Sequence, residues 1–147
     1  MTILETIEKD YIEAMKEKNA EKVSVLRMLK SALANAKISK GEDLKDIDEM
    51  QVLNKEIKSR QDSVEQYKSA NRIDLAKQEE QEVEIIKAYL PEQMSDKELE
   101  DIVGEAIKQT GATSMADMGK LMGAVIAKTQ GKADNSKIAQ IVKEKLG

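Results

Sequence analysis

Apolar residues recur every three or four positions along nearly the whole chain, and this spacing limits what the chain can fold into. The spacing places one apolar stripe on an α-helix, whereas no stretch alternates apolar and polar residues with the period of a β-strand. A single proline, Pro91, divides the series. We therefore predict an all-α protein with two domains, residues 1–91 and residues 95–147.

Before Pro91 the pattern predicts a bundle of about four helices, each with a polar start signal. The first helix has Thr2 with Glu5, and the second has Asn19. The third begins at Asp46 or Asp48, after a polar loop at Gly41. The fourth follows Asn71, as turn and cap, with Asp74. The predicted inward stripes are Ile3, Leu4, Ile7, Tyr11, Ala14 and Met15; Val25, Leu26, Met28, Leu29, Leu33 and Ala36; Met50, Leu53, Ile57, Val64 and Tyr67; Leu75, Ala76, Val83, Ile86, Tyr89 and Leu90.

After Pro91 the pattern predicts three short helices around one small core. Their boundaries are Ser95 with Glu98, Gly111, Ser114, Gly131, and Asp134 or Asn135. The predicted inward residues are Leu99, Ile102, Val103, Ala106 and Ile107; Met115, Met118, Leu121, Met122 and Val125; Ile138, Ile141, Val142 and Leu146.

The chain contains neither cysteine nor histidine, which excludes several kinds of active site. Disulfides, thiol nucleophiles, Cys/His zinc sites and Ser-His-Asp triads are all ruled out. Acid–base catalysis would fall to Asp, Glu, Lys or Tyr, whose ordinary pKa values lie far from neutrality. We therefore predict no catalytic residue, no cofactor and no metal ion.

The sequence also indicates where the protein resides. No apolar run approaches the roughly 20 residues that cross a bilayer. The first eight residues lack the basic and apolar regions of a signal peptide. We expect a cytoplasmic protein that does not bind membranes.

Charged residues of the first domain leave alternatives open. Glu80 and Glu84, one helical turn apart, either share a Mg²⁺ ion or belong to a solvated helix face, which we favour. Arg60 interrupts the stripe of the third helix, and it either pairs with a glutamate of the fourth helix, as we favour, or binds a substrate. A basic patch has four candidate members: Arg27, Lys58, Arg60 and Arg72.

Charge is distributed unevenly along the chain. The formal net charge is −4, yet residues 108–147 contain seven lysines and three acidic residues, a net charge of +4. An acidic protein is a poor general binder of nucleic acid, but a locally basic segment favours contact with phosphates. The candidate RNA-binding residues are Lys120, Lys128, Lys132, Asn135 and Lys137.

Gly119 and Gly123 stand inside a helical pattern, where each costs roughly 1 kcal/mol relative to alanine. They lie four residues apart on one helix face, so they can pack tightly against a neighbouring helix, admit an RNA backbone, or do both. Gly131, just beyond the helix, is a third close-approach candidate. The segment is not a P-loop, because no strand precedes it and no Ser or Thr follows Lys120.

Several segments together resemble the YqeY family of bacterial proteins. In the C-terminal part they are Leu90-Pro91-Glu92-Gln93 with Ser95, Gly111-Ala112, Asp117-Met118-Gly119-Lys120-Leu121-Met122-Gly123 and Gly131-Lys132-Ala133-Asp134. Upstream they are Ala14-Met15-Lys16, Leu26-Arg27-Met28-Leu29, residues 58–63 with Tyr67, and Arg72-Ile73-Asp74-Leu75-Ala76 with Glu79. The resemblance covers nearly the whole chain.

The resemblance implies a link to tRNA. The C-terminal helices of YqeY proteins are similar to the tail of GatB, a subunit of the glutamine-dependent tRNA amidotransferase, and that tail helps to hold tRNA. The tail's motif is matched here by Gly119, Gly123, Thr129, Gly131 and Ala133. Where the family pattern usually has glycine, this chain has Asn135; because asparagine tolerates positive φ, we expect the turn to be retained.

Three functions follow from these features, in the order in which we favour them. The first is an accessory protein that binds tRNA or tRNA-like RNA. The second is a component of a carbon–nitrogen ligase with glutamine as amide donor, acting only with amidotransferase or aminoacyl-tRNA machinery, because the catalytic regions of GatB and of the amidase subunit are missing. The third is a helical adaptor with a methionine-rich surface, which requires exposed Met118 and Met122, whereas the pattern places both in the core.

Overall fold

The structure, a computed structural model, describes residues 2–91 and 93–147. These residues form seven α-helices and one 3₁₀ turn and contain no strand, so the predicted all-α fold is confirmed. The chain divides into two compact units, Met1–Pro91 and Glu92–Gly147. None of the helices within the described ranges combines the length and the hydropathy that a membrane span requires.

The first unit consists of two helical hairpins. Its helices are α1 (Ile3–Lys16), α2 (Ala20–Lys40), α3 (Asp46–Ser69) and α4 (Ile73–Lys87). Helix α1 packs on α2 and α3 packs on α4, while α2 also contacts both α3 and α4. The connections within each hairpin are only a few residues long, which forces the paired helices to run antiparallel.

Two of the predicted helix starts of the first unit are visible as capping hydrogen bonds. The Thr2 Oγ1 atom accepts the Glu5 N–H at 3.1 Å, and Asn19 Oδ1 accepts the Lys22 N–H at 3.2 Å. The predicted cap at Asn71 is wrong: Asn71 adopts a left-handed φ of 59° in the turn, and Arg72 takes the N-cap position. Asparagine enters this region more readily than most residues, which explains its place in the turn.

One buried core joins all four helices of the first unit. Its members are Ile7, Val25, Leu26, Leu29, Leu33, Leu53, Ile57, Val83 and Ile86. Met15 and Met28, which the stripes place inward, are instead about half exposed. At ~100° per residue, Met28 lies about 60° from Val25 on the side of α2 that faces away from Leu26. It therefore falls at the edge of the buried stripe.

The second unit is a three-helix domain. It contains α5 (Asp96–Thr110), a 3₁₀ turn (Met115–Asp117), α6 (Met118–Thr129) and α7 (Asn135–Leu146). The Ser95 Oγ atom accepts the Glu98 N–H at 3.2 Å, and Gly111 ends α5 with a φ of 70°, as predicted. The buried core of this unit is Leu99, Val103, Ala106, Ala112, Leu121, Val125, Ala133, Ile138, Ile141 and Val142.

The entry to α6 differs from the prediction. Ser114 precedes the 3₁₀ turn and not the first turn of α6, which begins at Met118. Met115, predicted to face inward, lies in this turn and is about half exposed. The tighter 3₁₀ winding changes the angular phase before the helix begins, so Met115 does not share the α6 stripe.

Candidate functional site

The face of α6 that carries Gly119 and Gly123 is open. Both glycines are exposed, and a Cβ atom added at either position would meet nothing within 4 Å. Ala127, one turn beyond Gly123, is exposed as well. The alternative that the glycines pack tightly against a neighbouring helix is therefore wrong for the part of the chain that the structure describes. We call Gly119, Gly123 and Ala127 the bare strip.

Two lysines stand near the two ends of α6. Lys120 is exposed in the first turn of α6, and Lys132 is exposed just beyond its last residue. The helix between them, Met118–Thr129, is about 18 Å long at the helical rise of ~1.5 Å per residue. Neither ammonium group forms a hydrogen bond or ion pair with another described residue, so both are available to external anions.

The other two candidate lysines are engaged within the second unit. The Lys128 ammonium lies 2.8 Å from Gln109 Oε1 and 3.7 Å from Glu105 Oε1. Lys137 forms an ion pair with Asp96. Exposed ion pairs of this kind contribute little to stability. The carboxylates of Glu105 and Asp96 nevertheless lower the net positive charge that Lys128 and Lys137 offer to a ligand.

Asp117 fixes the entry to α6. Its Oδ2 atom accepts the N–H groups of Thr113 at 3.0 Å and of Ser114 at 3.4 Å. These hydrogen bonds, together with the nearby positive charge of Lys120, hold the pKa of Asp117 below its ordinary value. The carboxylate therefore stays ionised at neutral pH and keeps the loop closed ahead of the bare strip.

The turn between α6 and α7 needs left-handed backbone at two positions, and neither is Asn135. Gln130 has a φ of 48° and Gly131 a φ of 81°, whereas Asn135 is the first residue of α7. The Lys132 carbonyl accepts the Met94 N–H at 2.9 Å, which ties this turn to the start of the unit. The expectation that Asn135 needs positive φ is thus wrong, and its replacement of the family's glycine puts no strain on the turn. Asn135 Oδ1 is buried and accepts no hydrogen bond from the described residues.

The four basic candidates of the first unit do not form one patch. Arg27 lies against Tyr11, whose hydroxyl is 3.3 Å from the Arg27 Nη2 atom. Lys58 is exposed, but on α3 it points about 200° away from Arg60. Arg72 lies beyond the end of α3 and faces Asp74 at 3.4 Å.

Arg60 is buried in an ion-pair cluster with α4. It is 7% exposed, it pairs with Glu82, and its Nη1 atom lies 3.3 Å from Glu79 Oε2. Of the alternatives left open, pairing with α4 is the one confirmed. Glu80 and Glu84 face Lys68 at 3.3 Å and Lys87 at 3.8 Å, so each belongs to a solvated, ion-paired surface.

Comparison with known proteins identifies the family. The sequence model of the family described as Yqey-like protein matches residues 4–146. The chain belongs to the YqeY family. The resemblance drawn from its motifs is thereby confirmed.

Relatives of this YqeY chain occur in fungi. An uncharacterized protein of Schizosaccharomyces pombe is 33% identical over 90 residues, which are 61% of this chain and 73% of that protein. The Altered inheritance of mitochondria protein 41 of Pyrenophora tritici-repentis is 25% identical over 150 residues, 99% of this chain and 81% of the relative. Its counterpart in Lachancea thermotolerans is 38% identical over 85 residues, 57% of this chain and 46% of the relative. The names of the last two place those relatives in mitochondria, so the cytoplasmic location of this YqeY chain stays a prediction.

Met118 and Met122 are partly buried against the core of the second unit, as predicted. An adaptor surface built on these two methionines is therefore disfavoured. Sequence reasoning missed Ala127, which extends the bare strip by one turn. Its signal was the spacing of Gly119, Gly123 and Ala127 at intervals of four.

Substituting alanine for Gly119, Gly123 or Gly104 of this YqeY chain is expected to raise the stability of the second unit by about 0.5–1 kcal/mol each, because all three are helical with open space for a Cβ. Gly111→Ala should lower it, since its φ of 70° strains any L side chain. Hydrogen exchange of the α5–α7 amides measures both effects, and a loss of protection in Gly119→Ala would contradict an open strip.

Proposed function

We propose that the C-terminal unit binds tRNA or a tRNA-like RNA, and that the bare strip of α6 lies against the sugar–phosphate backbone. The observation that carries the proposal is the exposure of Gly119 and Gly123. Packing does not account for these glycines, although each weakens its helix by roughly 1 kcal/mol relative to alanine. A ligand that approaches the helix backbone closely would offset that cost.

The geometry of α6 suits an RNA duplex. A-form RNA has a wide, shallow minor groove, and proteins recognise it by shape and by contacts to 2′-hydroxyls and phosphates. Lys120 and Lys132 lie near the two ends of α6, which is about 18 Å long, and the bare strip runs along its middle. Each lysine can reach a phosphate while the glycines let the ribose edge come close.

Charge supports binding by residues 108–147 and not by the whole surface of either unit. Residues 108–147 carry a net charge of +4, whereas the complete chain carries −4. Residues 1–91 carry a net charge of −3 and residues 92–107, at the start of the second unit, carry −5, so phosphate is steered to the basic segment. Binding through lysine–phosphate contacts releases counterions and therefore weakens as salt rises.

The partners we propose are an amidotransferase or other aminoacyl-tRNA machinery, which would act on RNA that this chain holds. Support comes from the resemblance of the C-terminal helices to the GatB tail. Addition of the protein should then increase glutamine-dependent amidation by a reconstituted amidotransferase. If amidation did not change while RNA binding was intact, this partnership would be lost and the binding function kept.

Charge reversal tests the RNA site directly. Lys120→Glu/Lys132→Glu should lower tRNA affinity by at least about tenfold at ~50 mM salt and reduce the slope of log K against log salt by about two. Fluorescence anisotropy with labelled tRNA measures both quantities.

The matched control is Lys143→Glu/Lys145→Glu, which changes the net charge equally but at the C-terminal end of α7. Its affinity should stay within about twofold of the parent protein. Equal losses in the two variants would show unspecific attraction to charge, and no measurable tRNA binding at low salt would overturn the proposed function.

A further inference from the structure

A cleft opens in the first unit, whereas the surface assigned to RNA belongs to the second unit. It lies between the start of α1, the middle of α2 and the start of α3, and its volume is about 610 Å³. Its lining includes Leu4, Glu8, Leu33, Lys37, Leu44 and Glu49. We call it the Glu49 cleft.

Glu49 is the unusual member of this lining. Its side chain is buried, with the residue only 3% exposed, and its Oε2 atom accepts the Leu4 N–H at 3.0 Å. The Oε1 atom is buried and accepts no hydrogen bond from any described residue. An ionised carboxylate offers about four acceptor positions, and leaving a buried one unpaired is costly. An additional hydrogen-bond donor at Oε1 would therefore stabilise the site.

Two lysines line the cleft, and neither forms an ion pair with Glu49. Lys37 Nζ lies 3.0 Å from Asp43 Oδ1, and Lys30 Nζ lies 4.7 Å from the centre of the Tyr11 ring. By contrast, the carboxylates of Glu5 and Glu8, which also line the cleft, form no hydrogen bond or ion pair with another described residue. The lining as a whole contains four carboxylates and two ammonium groups, so it carries a net charge of −2.

We propose that the Glu49 cleft binds an alkylammonium group. An ammonium ion has three donors and no acceptor, which matches the unpaired oxygen of Glu49 and the carboxylates of Glu5 and Glu8 at the rim. Leu4, Leu33 and Leu44 supply an apolar wall for the alkyl stem. The positive end of α1 would ordinarily attract an anion, but Glu49 already occupies that position. The ligand is either a free amine or the lysine side chain of another protein.

Titration of the full-length, ¹⁵N-labelled protein with n-pentylammonium tests this site. Saturable shifts are expected at the amides of Leu4, Leu33 and Leu44, and the uncharged n-pentanol should produce much smaller ones. Glu49→Gln keeps an acceptor for the Leu4 N–H but removes the charge, and it should weaken binding at least tenfold. Glu8→Gln, at the exposed rim, should weaken binding two- to threefold without touching the Leu4 bond.

The matched control is Glu65→Gln, in a second acidic cleft between α3 and α4 that also contains Asp62, Glu80 and Glu84. Pentylammonium affinity should not change in this variant. Equal binding of pentanol, equal effects of Glu49→Gln and Glu65→Gln, or shifts that do not saturate would each overturn the proposal. Titration with Nα-acetyl-lysine amide separates the two sources: tighter binding than pentylammonium identifies a protein lysine, and weaker binding a free amine.

Discussion

Arg60→Ala is expected to lower the free energy of unfolding of the first unit by about 3–5 kcal/mol. Arg60 is 7% exposed, and its partner Glu82 is 9% exposed. Removing the guanidinium leaves the Glu82 carboxylate buried without its counter-ion, and it also removes the contact of Nη2 with Met28 Sδ at 3.2 Å. Such a loss is a large part of the stability of a small domain.

Tyrosine fluorescence during urea unfolding measures this effect selectively. All three tyrosines lie in the first unit, at Tyr11, Tyr67 and Tyr89, and the chain has no tryptophan. The signal therefore follows the first unit even if the two units unfold separately, a case in which one two-state curve for the whole chain would be invalid.

The double variant Arg60→Met/Glu82→Met separates charge from packing. Replacing a buried ion pair by apolar groups of similar volume is often neutral or stabilising, so this variant should recover most of the stability lost in Arg60→Ala. If Arg60→Ala lowered the free energy of unfolding by less than about 1 kcal/mol, this result would show that water reaches Glu82. A double variant as unstable as the single one would show that the loss comes from packing and not from an unpaired charge.

Local signals predicted most of the fold. Thr2, Asn19, Ser95 and Gly111 each act through their own side chain or φ angle within one turn, so the chain alone determines their roles. The interrupted stripe at Arg60 likewise indicated a paired cation, because an arginine on an apolar face must find a counter-charge.

The errors arose where the answer depends on neighbours. Met15, Met28 and Met115 fit the helical spacing, but the width of the buried stripe and the 3₁₀ turn place them at its edge. The Glu49 cleft gave no sequence signal, because Glu49 reads as an ordinary acidic residue in the first turn of α3. Its burial and its hydrogen bond with the Leu4 N–H of α1 come from tertiary packing.

The sequence predicted the residues of the candidate RNA site but not their exposure. The spacing of Gly119 and Gly123 defines a face of α6, but whether a helix or solvent covers that face depends on how α5 and α7 pack. The sequence also could not separate the paired lysines from the unpaired ones, because the partners of Lys128 and Lys137 lie on a different helix, α5.

Glutamine at both Gly119 and Gly123 is expected to lower tRNA affinity by about two orders of magnitude, ~2.7 kcal/mol, while the second unit stays folded. Both positions are helical and have open space for a side chain. Glutamine has a higher helix propensity than glycine, so the stability of the second unit should rise slightly. The two side chains would hold an RNA backbone several ångströms away from α6. Lys120 and Lys132 are kept, so the electrostatic attraction is unchanged.

This double variant distinguishes close approach from charge, which the lysine reversals alone do not. Gly104→Gln is the matched control, since Gly104 is also helical with open space but lies on α5. Anisotropy at low salt should show normal affinity for Gly104→Gln, and hydrogen exchange should show protection retained in all variants. If the Gly119/Gly123 variant bound tRNA as tightly as the parent protein, the lysines alone would account for binding, and the bare strip would need another explanation. A loss of affinity with an unchanged salt slope would instead locate the contact at the helix backbone, because the number of phosphates neutralised would be the same.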